Sequence, residues 1–412
     1  MAKTNALSTA PALSLLVPLA LGIYLRQTDH SPGLIVLGCG LCFCLVWLLS
    51  RRSIESYQWR SMALHLGLML AALALGMLRA GTALETGPSE EVASLRLELV
   101  AGLAQQGIST EVQQLIQGLS LGYLPRGEAV QALRESFARS GAAHLLVVSG
   151  YHLGLVVALM ARLLGQWREP YPRLYYALLL LGGWAFVALT GWGLPSVRAA
   201  LMLSIYLIAN MLGRSARTPN ILALSAIIQL VYDPQSLYNW GMWLSYTAVL
   251  SIYLYYALLR DSLGWIRNPL VLSLWEALCL TLAAQVLTLP LVMYLFGYVS
   301  LSFVFTALPL GLLASILIPL SLLAYLMAYC ALPLGPLAMA IEYLGQWMLE
   351  LSAGAEALTG LVHAGAMPWW GLLLSWGLAA VLSYALRPAL WPSDSGLYRQ
   401  WQDLGTGRST RG

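Results

Sequence analysis

Glu276-ALCLTLAAQVLTLPLVMYLFGYVSLSFVFTALPLGLLASILIPLSLLAYLMAYCALPLGPLAMAI-Glu342 contains no Asp, Glu, Lys, Arg or His between its two glutamates. A hydrocarbon core asks for about 20 apolar residues per helical crossing, and this run supplies several crossings' worth. Water offers no way to hide so much contiguous apolar surface, whereas a bilayer or membrane-buried packing does. The rest of the chain agrees: 59% of residues are hydrophobic and 10% charged, against about 25% charged in ordinary soluble domains. Mean hydropathy is +0.72. The fold class is therefore an all-α polytopic integral membrane protein, with amphipathic interfacial helices between its spans.

The same ruler places spans at 11–25, 34–49, 62–78, 142–164, 174–192, 197–213, 220–232, 240–259, 270–295 and 368–386, with one or two between 302 and 331. That makes about ten to twelve crossings. The chain divides into N-terminal transmembrane helices (1–80), an outer-face helical connector (81–141), a membrane core (142–331), C-terminal helices (332–387) and a tail (388–412). Arginines gather in alternate loops: Arg51, Arg52 and Arg60; Arg162, Arg168 and Arg173; Arg214 and Arg217; Arg260 and Arg267. Cytoplasmic loops carry the Lys/Arg excess, so both termini are expected in the cytoplasm. Residues 11–25 follow Lys3 as a signal peptide would, but no small-residue cleavage site followed by a soluble domain appears, and a retained first span is expected.

The connector carries Glu85, Glu90, Glu91, Glu98, Glu111 and Glu128. Within it Val112, Leu115, Ile116 and Leu119 repeat at helical spacing behind a Ser109/Thr110 cap, and Val130, Leu133 and Phe137 do so before a stop at Gly141. These are amphipathic helices expected to lie on the outer face or on the bundle. Residues 334–361 read as a mostly apolar helix with Glu342, Glu350 and Glu356, either crossing or lying flat. All five cysteines (Cys39, Cys42, Cys44, Cys279 and Cys330) fall in apolar stretches, the setting of a small buried hydrophobe. No disulfide framework, metal site or cofactor is expected from them, and a net charge of +4 says little about partners.

Ionisable or polar groups in hydrocarbon are costly, so each is a functional candidate. His144-Leu-Leu-Val-Val-Ser149-Gly150-Tyr151-His152-Leu-Gly154 is the richest cluster. Ser149 and His152 share a face if the segment is helical, and Gly150 with Gly154 forms a small-xxx-small pair that admits a neighbouring backbone. The plain alternative is a tight helix crossing whose His and Ser satisfy each other. In the second cluster, Thr190-Gly191-Trp192-Gly193-Leu194-Pro195-Ser196-Val197-Arg198, two glycines and a proline break the apolar run ahead of Arg198. That arginine either neutralises a phosphate or carboxylate or snorkels to the interface. The third holds Asp233-Pro234, then Asn239-Trp240-Gly241-Met242-Trp243-Leu244-Ser245-Tyr246, whose aromatics are an interfacial belt or a stacking surface for bases. Glu276 and Gln285 read as interhelical hydrogen-bond partners.

These three clusters, in this order over about residues 95–320, resemble the membrane channel domain of the ComEC family, through which competent bacteria import DNA. The first is carried by Phe137-Ala-Arg-Ser-Gly141-Ala-Ala-His144 running on to Gly154, the second by Leu189 to Ala200, the third by Asp233-Pro234 and Gly241 to Tyr246. Tyr151 stands where the family commonly has Leu, and Trp243 where it commonly has Gln. The resemblance implies an inner-membrane channel for single-stranded DNA, not an enzyme. Its path residues would be His144, Ser149, Gly150, Tyr151, His152, Gly154, Thr190, Gly191, Trp192, Pro195, Ser196, Arg198, Trp240, Trp243, Ser245 and Tyr246. Implied partners are single-stranded DNA, a DNA receptor on the outer side, a separate nuclease, a cytoplasmic motor or single-strand-binding protein, and membrane lipid.

Family members typically carry an OB-like domain before the channel and a metallo-β-lactamase-like nuclease after it. Here 78 leads almost directly to 95, and the tail after 386 has no His/Asp cluster, so a channel without its own nuclease is expected. Two rivals remain. One is a transporter of another anionic substrate on the same fold. The other is an intramembrane hydrolase using Ser149 with a histidine, although no Gly-x-Ser-x-Gly elbow or His-Glu-x-x-His motif is present.

Overall fold

The structure is a computed structural model that describes residues 11–27, 71–72, 75, 90–104, 106–214, 216–263, 268–300, 303–359, 361–363 and 367–390. In chain order the helices are α1 (Pro11–Gln27), α2 (Glu90–Ala104), α3 (Thr110–Ile116), α4 (Glu128–Arg139), α5 (Gly150–Leu163), α6 (Pro172–Leu189), α7 (Leu194–Met211), α8 (Thr218–Tyr232), α9 (Trp240–Arg260), α10 (Pro269–Phe296), α11 (Phe303–Tyr329), α12 (Gly335–Thr359) and α13 (Trp369–Leu390). The described residues fall into two compact units, the first holding those of 11–75 and 208–246, the second those of 90–207 and 247–390.

Five helical stretches among the described residues are long and apolar enough to cross a bilayer: Pro172–Leu189, Leu194–Met211, Trp240–Leu263, Pro269–Phe296 and Phe305–Tyr329. Leu15–Tyr24, Gly150–Leu163, Thr218–Tyr232 and Trp369–Leu382 are apolar but shorter. The protein is thus an α-helical membrane protein, with fewer full-length spans among these residues than the ten to twelve expected. The expected span at 34–49 lies outside the described residues, as does all of 62–78 except 71, 72 and 75.

The expected span at 142–164 is shortened, and its beginning is not α-helical. α4 ends in a Schellman closure: the Gly141 N–H reaches Ala138 O and the Ala142 N–H reaches Phe137 O, with Gly141 at φ +77°. A 3-10 turn at Ala143–Leu145 and bends follow, and α5 starts only at Gly150. Its 14 residues reach about 21 Å, short of a hydrocarbon core of about 30 Å. Apolarity alone reads straight through this stretch, whereas Gly141 and the Ser149 cap divide it.

The connector helices are core elements of the second unit. Val112, Leu115, Ile116 and Leu119 are inaccessible, as is Phe137, and they pack with Leu310, Leu317 and Ile318 of α11 and Ile341 and Met348 of α12. The Ser109 cap is present, its side chain accepting from the Val112 N–H. After α3 the chain widens into a π-turn, Gln117–Leu121, closed by Gly122 at φ +61°. Polar side chains rivet the layers: Ser120 Oγ lies 2.6 Å from Ser321 Oγ, and Thr306 donates to Ser140 O at 2.6 Å. α12 packs along α11, α3 and α4. Its Glu342 carboxylate accepts the Ser109 N–H at 2.8 Å, and a Cβ on Gly345 would collide with Val112 Cγ1.

A second cluster joins α5, α6 and α7 through Leu153, Val157, Leu179, Phe186 and Leu207. The all-α expectation gains one small sheet: β1 (Tyr298–Ser300) pairs antiparallel with β2 (Leu361–His363). Glu276 meets Arg260 of α9 in an ion pair at 2.9 Å, while Gln285 accepts from Thr288 of its own helix. In the first unit, Leu19 and Ile23 of α1 pack on Ala226 and Leu230 of α8 and on Met242.

Candidate substrate path

The second unit brings the first two clusters together. Ser149 is the N-cap of α5 in an extended conformation, and His152 is its third helical residue. A carbonyl only accepts, so His152 Nε2 donates to Leu145 O at 3.1 Å. Nδ1 is then the acceptor for the Ser149 N–H at 3.3 Å, with Ser149 Oγ 3.2 Å away. This is a capping box with histidine in the place usually held by Glu or Gln. Both ring nitrogens are satisfied in the neutral form, and the side chain is 0% exposed. His152 fastens the irregular stretch 142–149 to the start of α5.

The opposite side of that stretch is open. His144, Val147, Gly150, Tyr151 and Gly154 are exposed. The Tyr151 hydroxyl donates to Gly311 O of α11 at 2.7 Å, and its ring meets His152 edge-on at 5.6 Å. The expected close approach at both glycines holds at one. A Cβ on Gly150 would lie 3.3 Å from Ala199 Cβ of α7, whereas nothing stands within 4 Å of one on Gly154. Gly154 sits one helical turn further on, beyond the neighbour that crosses at Gly150.

α6 ends as α4 does. The Gly191 N–H bonds Ala188 O and the Trp192 N–H bonds Val187 O, with Gly191 at φ +82° and Trp192 at φ +58°. Positive φ is costly for a tryptophan and is found where surrounding structure enforces it. Thr190 is buried and donates to Phe186 O and Val187 O. The Trp192 ring stacks obliquely on Trp184 at 5.9 Å. Pro195 lies in the first turn of α7, beside Ser196, which donates to Gly193 O. Arg198 follows on α7 and is 2% exposed, so it is a buried cation, where snorkelling would leave its head in water.

Sequence reasoning missed Arg96. It sits on α2, is 8% exposed, donates from Nη2 to Leu121 O at 2.8 Å and lies 5.7 Å above the Tyr123 ring. Burial pulls its pKa downward, with a smaller opposing effect from Tyr123, though a guanidinium stays charged. The signal was available: Arg96, Leu99 and Leu103 share one face of α2 at helical spacing, and that face is the buried one. Arg96 and Arg198 are the charged side chains buried among the described residues, and both are cations.

The third cluster lies in the first unit and is a network of caps. Asp233 accepts from Ser236 Oγ at 2.7 Å and from the Gln235 N–H, and Gln229 donates to Ser236 Oγ at 2.9 Å. Asn239 accepts the Gly241 N–H at 2.8 Å at the start of α9. Trp240 and Trp243 are exposed, with Trp243 Nε1 donating to Leu237 O. Ser245 and Tyr246 are half-buried, and the Tyr246 hydroxyl reaches Ser225 Oγ and Gln229 Oε1. Away from all three clusters, an open indentation of about 480 Å³ is lined by Glu342, Tyr343 and Gln346. Its carboxylate is already bonded to Gln346 and to Ser109.

Residues 121–389 match the competence protein family. The chain belongs to this family, the one known as ComEC. Among relatives within it, ComE operon protein 3 of Bacillus subtilis is 28% identical over 291 residues, which is 69% of this chain and 32% of that protein. Competence protein ComA of Neisseria gonorrhoeae is 30% identical over 328 residues, 72% of this chain and 44% of its own. Recombination protein 2 of Haemophilus influenzae is 26% identical over 262 residues, 60% of this chain and 33% of its own. The matched part of the chain thus spans 32% to 44% of these ComEC relatives. No solved structure matches it.

Proposed function

We propose that this chain is a conduit for single-stranded DNA entering the cytoplasm during natural transformation, seated in the bacterial inner membrane with both termini cytoplasmic. The observation that carries the reading is the apolar stretch 142–149, a 3-10 turn and bends in place of an α-helix, which leads into Gly150 against α7 in a unit whose buried charged side chains, among the described residues, are Arg96 and Arg198. Irregular backbone at membrane depth is tolerated only where protein covers it or where it lines a water-filled cavity. Discontinuous helices whose N-termini face anionic groups are one form such cavities take, and arginines inside the membrane mark ion and substrate pathways. Membership of the competence family, with relatives named for competence and recombination, favours DNA as that cargo.

A polyanion must be solvated without being held, which calls for sparse positive charge, polar groups and π-faces. Arg198 meets phosphates, while His144, Ser149 and Tyr151 line the irregular stretch and His152 fixes its shape. Trp240 and Trp243 offer stacking faces. A DNA receptor outside, a nuclease, and a cytoplasmic motor or single-strand-binding protein complete the route. The reading as a passage is supported by the Ser149–His152 pair, which is a helix cap around a fully buried ring whose Nε2 donates to Leu145 O.

Deleting the gene is expected to abolish transformation while DNA binding at the cell surface persists. Arg198→Ala and His152→Ala proteins that reach the membrane are expected to import linear DNA poorly. Normal transformation by both variants would overturn the assignment of these residues, and normal transformation by the deletion strain would transfer support to another anionic cargo. A hydrolase would lose all activity in Ser149→Ala, whereas a conduit loses only a cap and is weakened in part.

A further inference from the structure

Arg96 lies outside every motif yet touches what joins them. Its Nη2 donates to Leu121 O, the last carbonyl of the π-turn, where the partial negative charge of a helix end collects. Its Nε is buried and has no hydrogen-bond partner, and it forms no ion pair among the described residues. A guanidinium buried without a carboxylate is costly, so the fold sacrifices stability to keep this one. On the other edge of the same guanidinium, a Cβ added to Gly191 would stand 2.5 Å from Nη1. The next residue after Leu121 is crowded too, though less so: a Cβ on Gly122 would lie 3.1 Å from both Thr190 O and Val148 Cγ2. Two segments therefore meet on Arg96, the π-turn and the turn that links α6 to α7, and the end of the irregular stretch 142–149 joins them at Gly122.

We propose that Arg96 is a positioning residue that sets the α6–α7 turn, and with it Trp192 and the start of α7 that carries Arg198, a role that rests on the reading of this chain as a DNA conduit. One edge of the planar fork is pinned to Leu121 O. The other forms the wall against which Gly191 is seated. Trp192 holds a positive φ that a tryptophan avoids when unconstrained, and Arg96 supplies constraint from outside the turn. A lysine offers one point charge where the site uses two edges of a plane.

The test is a double-mutant cycle in the full-length protein with two readouts. The first is the thermal midpoint of the purified protein for wild type, Arg96→Ala, Gly191→Ala and the double variant. Gly191→Ala should destabilise less in the Arg96→Ala background, because the atom it collides with is gone. The second is import of labelled linear DNA per molecule of membrane-inserted protein, as a function of DNA concentration. Arg96→Ala should lower the maximal rate about tenfold, the scale of a lost charge-assisted hydrogen bond, with the half-saturating DNA concentration unchanged. Arg96→Lys should recover less than half of that loss. Additive midpoints, or unchanged import per molecule in Arg96→Ala, would overturn the proposal. If deletion of the gene leaves import intact, the conduit reading fails, and the proposed import role of Arg96 is overturned with it. The midpoint cycle then still decides whether Arg96 seats Gly191.

Discussion

Two polar regions of this membrane protein look alike in sequence and differ in construction. The region around Asp233 and Asn239 spends its polar groups locally: Asp233, Ser236 and Gln229 bond one another, and Asn239 caps α9. What it leaves open is aromatic, in Trp240 and Trp243. The region around Ser149 and Gly191 has two interrupted helices, a strained tryptophan and buried guanidiniums on α2 and α7. Local bonding accounts for the first region as a corner that finishes one helix and starts another. The second bears costs that helix closure alone does not require, and such costs persist where function maintains them.

The comparison is broken most directly at Arg198. Replacement by Ala should cut DNA import about tenfold to a hundredfold, since contacts to a charged group are worth about 1.5–3 kcal/mol. Normal import would make the buried cation merely structural. Next, Trp240→Ala combined with Trp243→Ala should reduce import about tenfold if these faces stack on bases, at about 1–3 kcal/mol per stacked base. Unchanged import would leave them a membrane belt and the first unit outside the path. His152→Ala strands the Leu145 carbonyl and the Ser149 N–H and should cost about 2 kcal/mol of stability. His152→Gln should restore part of that, because Gln serves the same position in a capping box. Asn239→Ala should cost about 1 kcal/mol in a melting experiment, the usual worth of an N-cap, with import per molecule unchanged.

The smallest expected effect is one of pH, on α12, which is not among the five long apolar stretches. Burial pushes the Glu342 carboxyl up, but hydrogen bonds from Gln346 and Ser109 outweigh it and hold the group below its ordinary 4.5. A depressed carboxylate stabilises above its unfolded pKa and loses that contribution as pH falls through the folded one. The thermal midpoint should therefore decline below pH 4.5, and less so in Glu342→Gln.

Much of the fold was legible because its signals are local. The apolar runs that become α6 to α11 are found within a few residues of their expected limits, and the Ser109 cap and Gly141 stop stand where Ser and Gly in those positions predict. The start of α5 was not, because hydropathy averages over residues 142–149 and does not register a cap whose partner is a histidine. Arg96 was passed over because it stands among glutamates on α2, and its burial comes from chain segments 25 and 95 residues away in Leu121 and Gly191. The β1–β2 pairing was hidden for the same reason, since strands of three residues carry no pattern of their own. Gly154 shows the reverse error: its spacing from Gly150 predicts a neighbour, and the neighbour crosses elsewhere.

The connector also sets a schedule. Ser120 finds Ser321 at a separation of 201 residues, and Ser109 finds Glu342 at 233. Ribosomes add about 5–20 residues per second, so α3 emerges roughly 10 to 47 s before its partners on α11 and α12 exist. Throughout that interval Val112, Leu115, Ile116 and Leu119 have no matching surface from those helices. The newborn segment has to shelter at the lipid boundary or under a chaperone until the last third of the chain arrives to claim it.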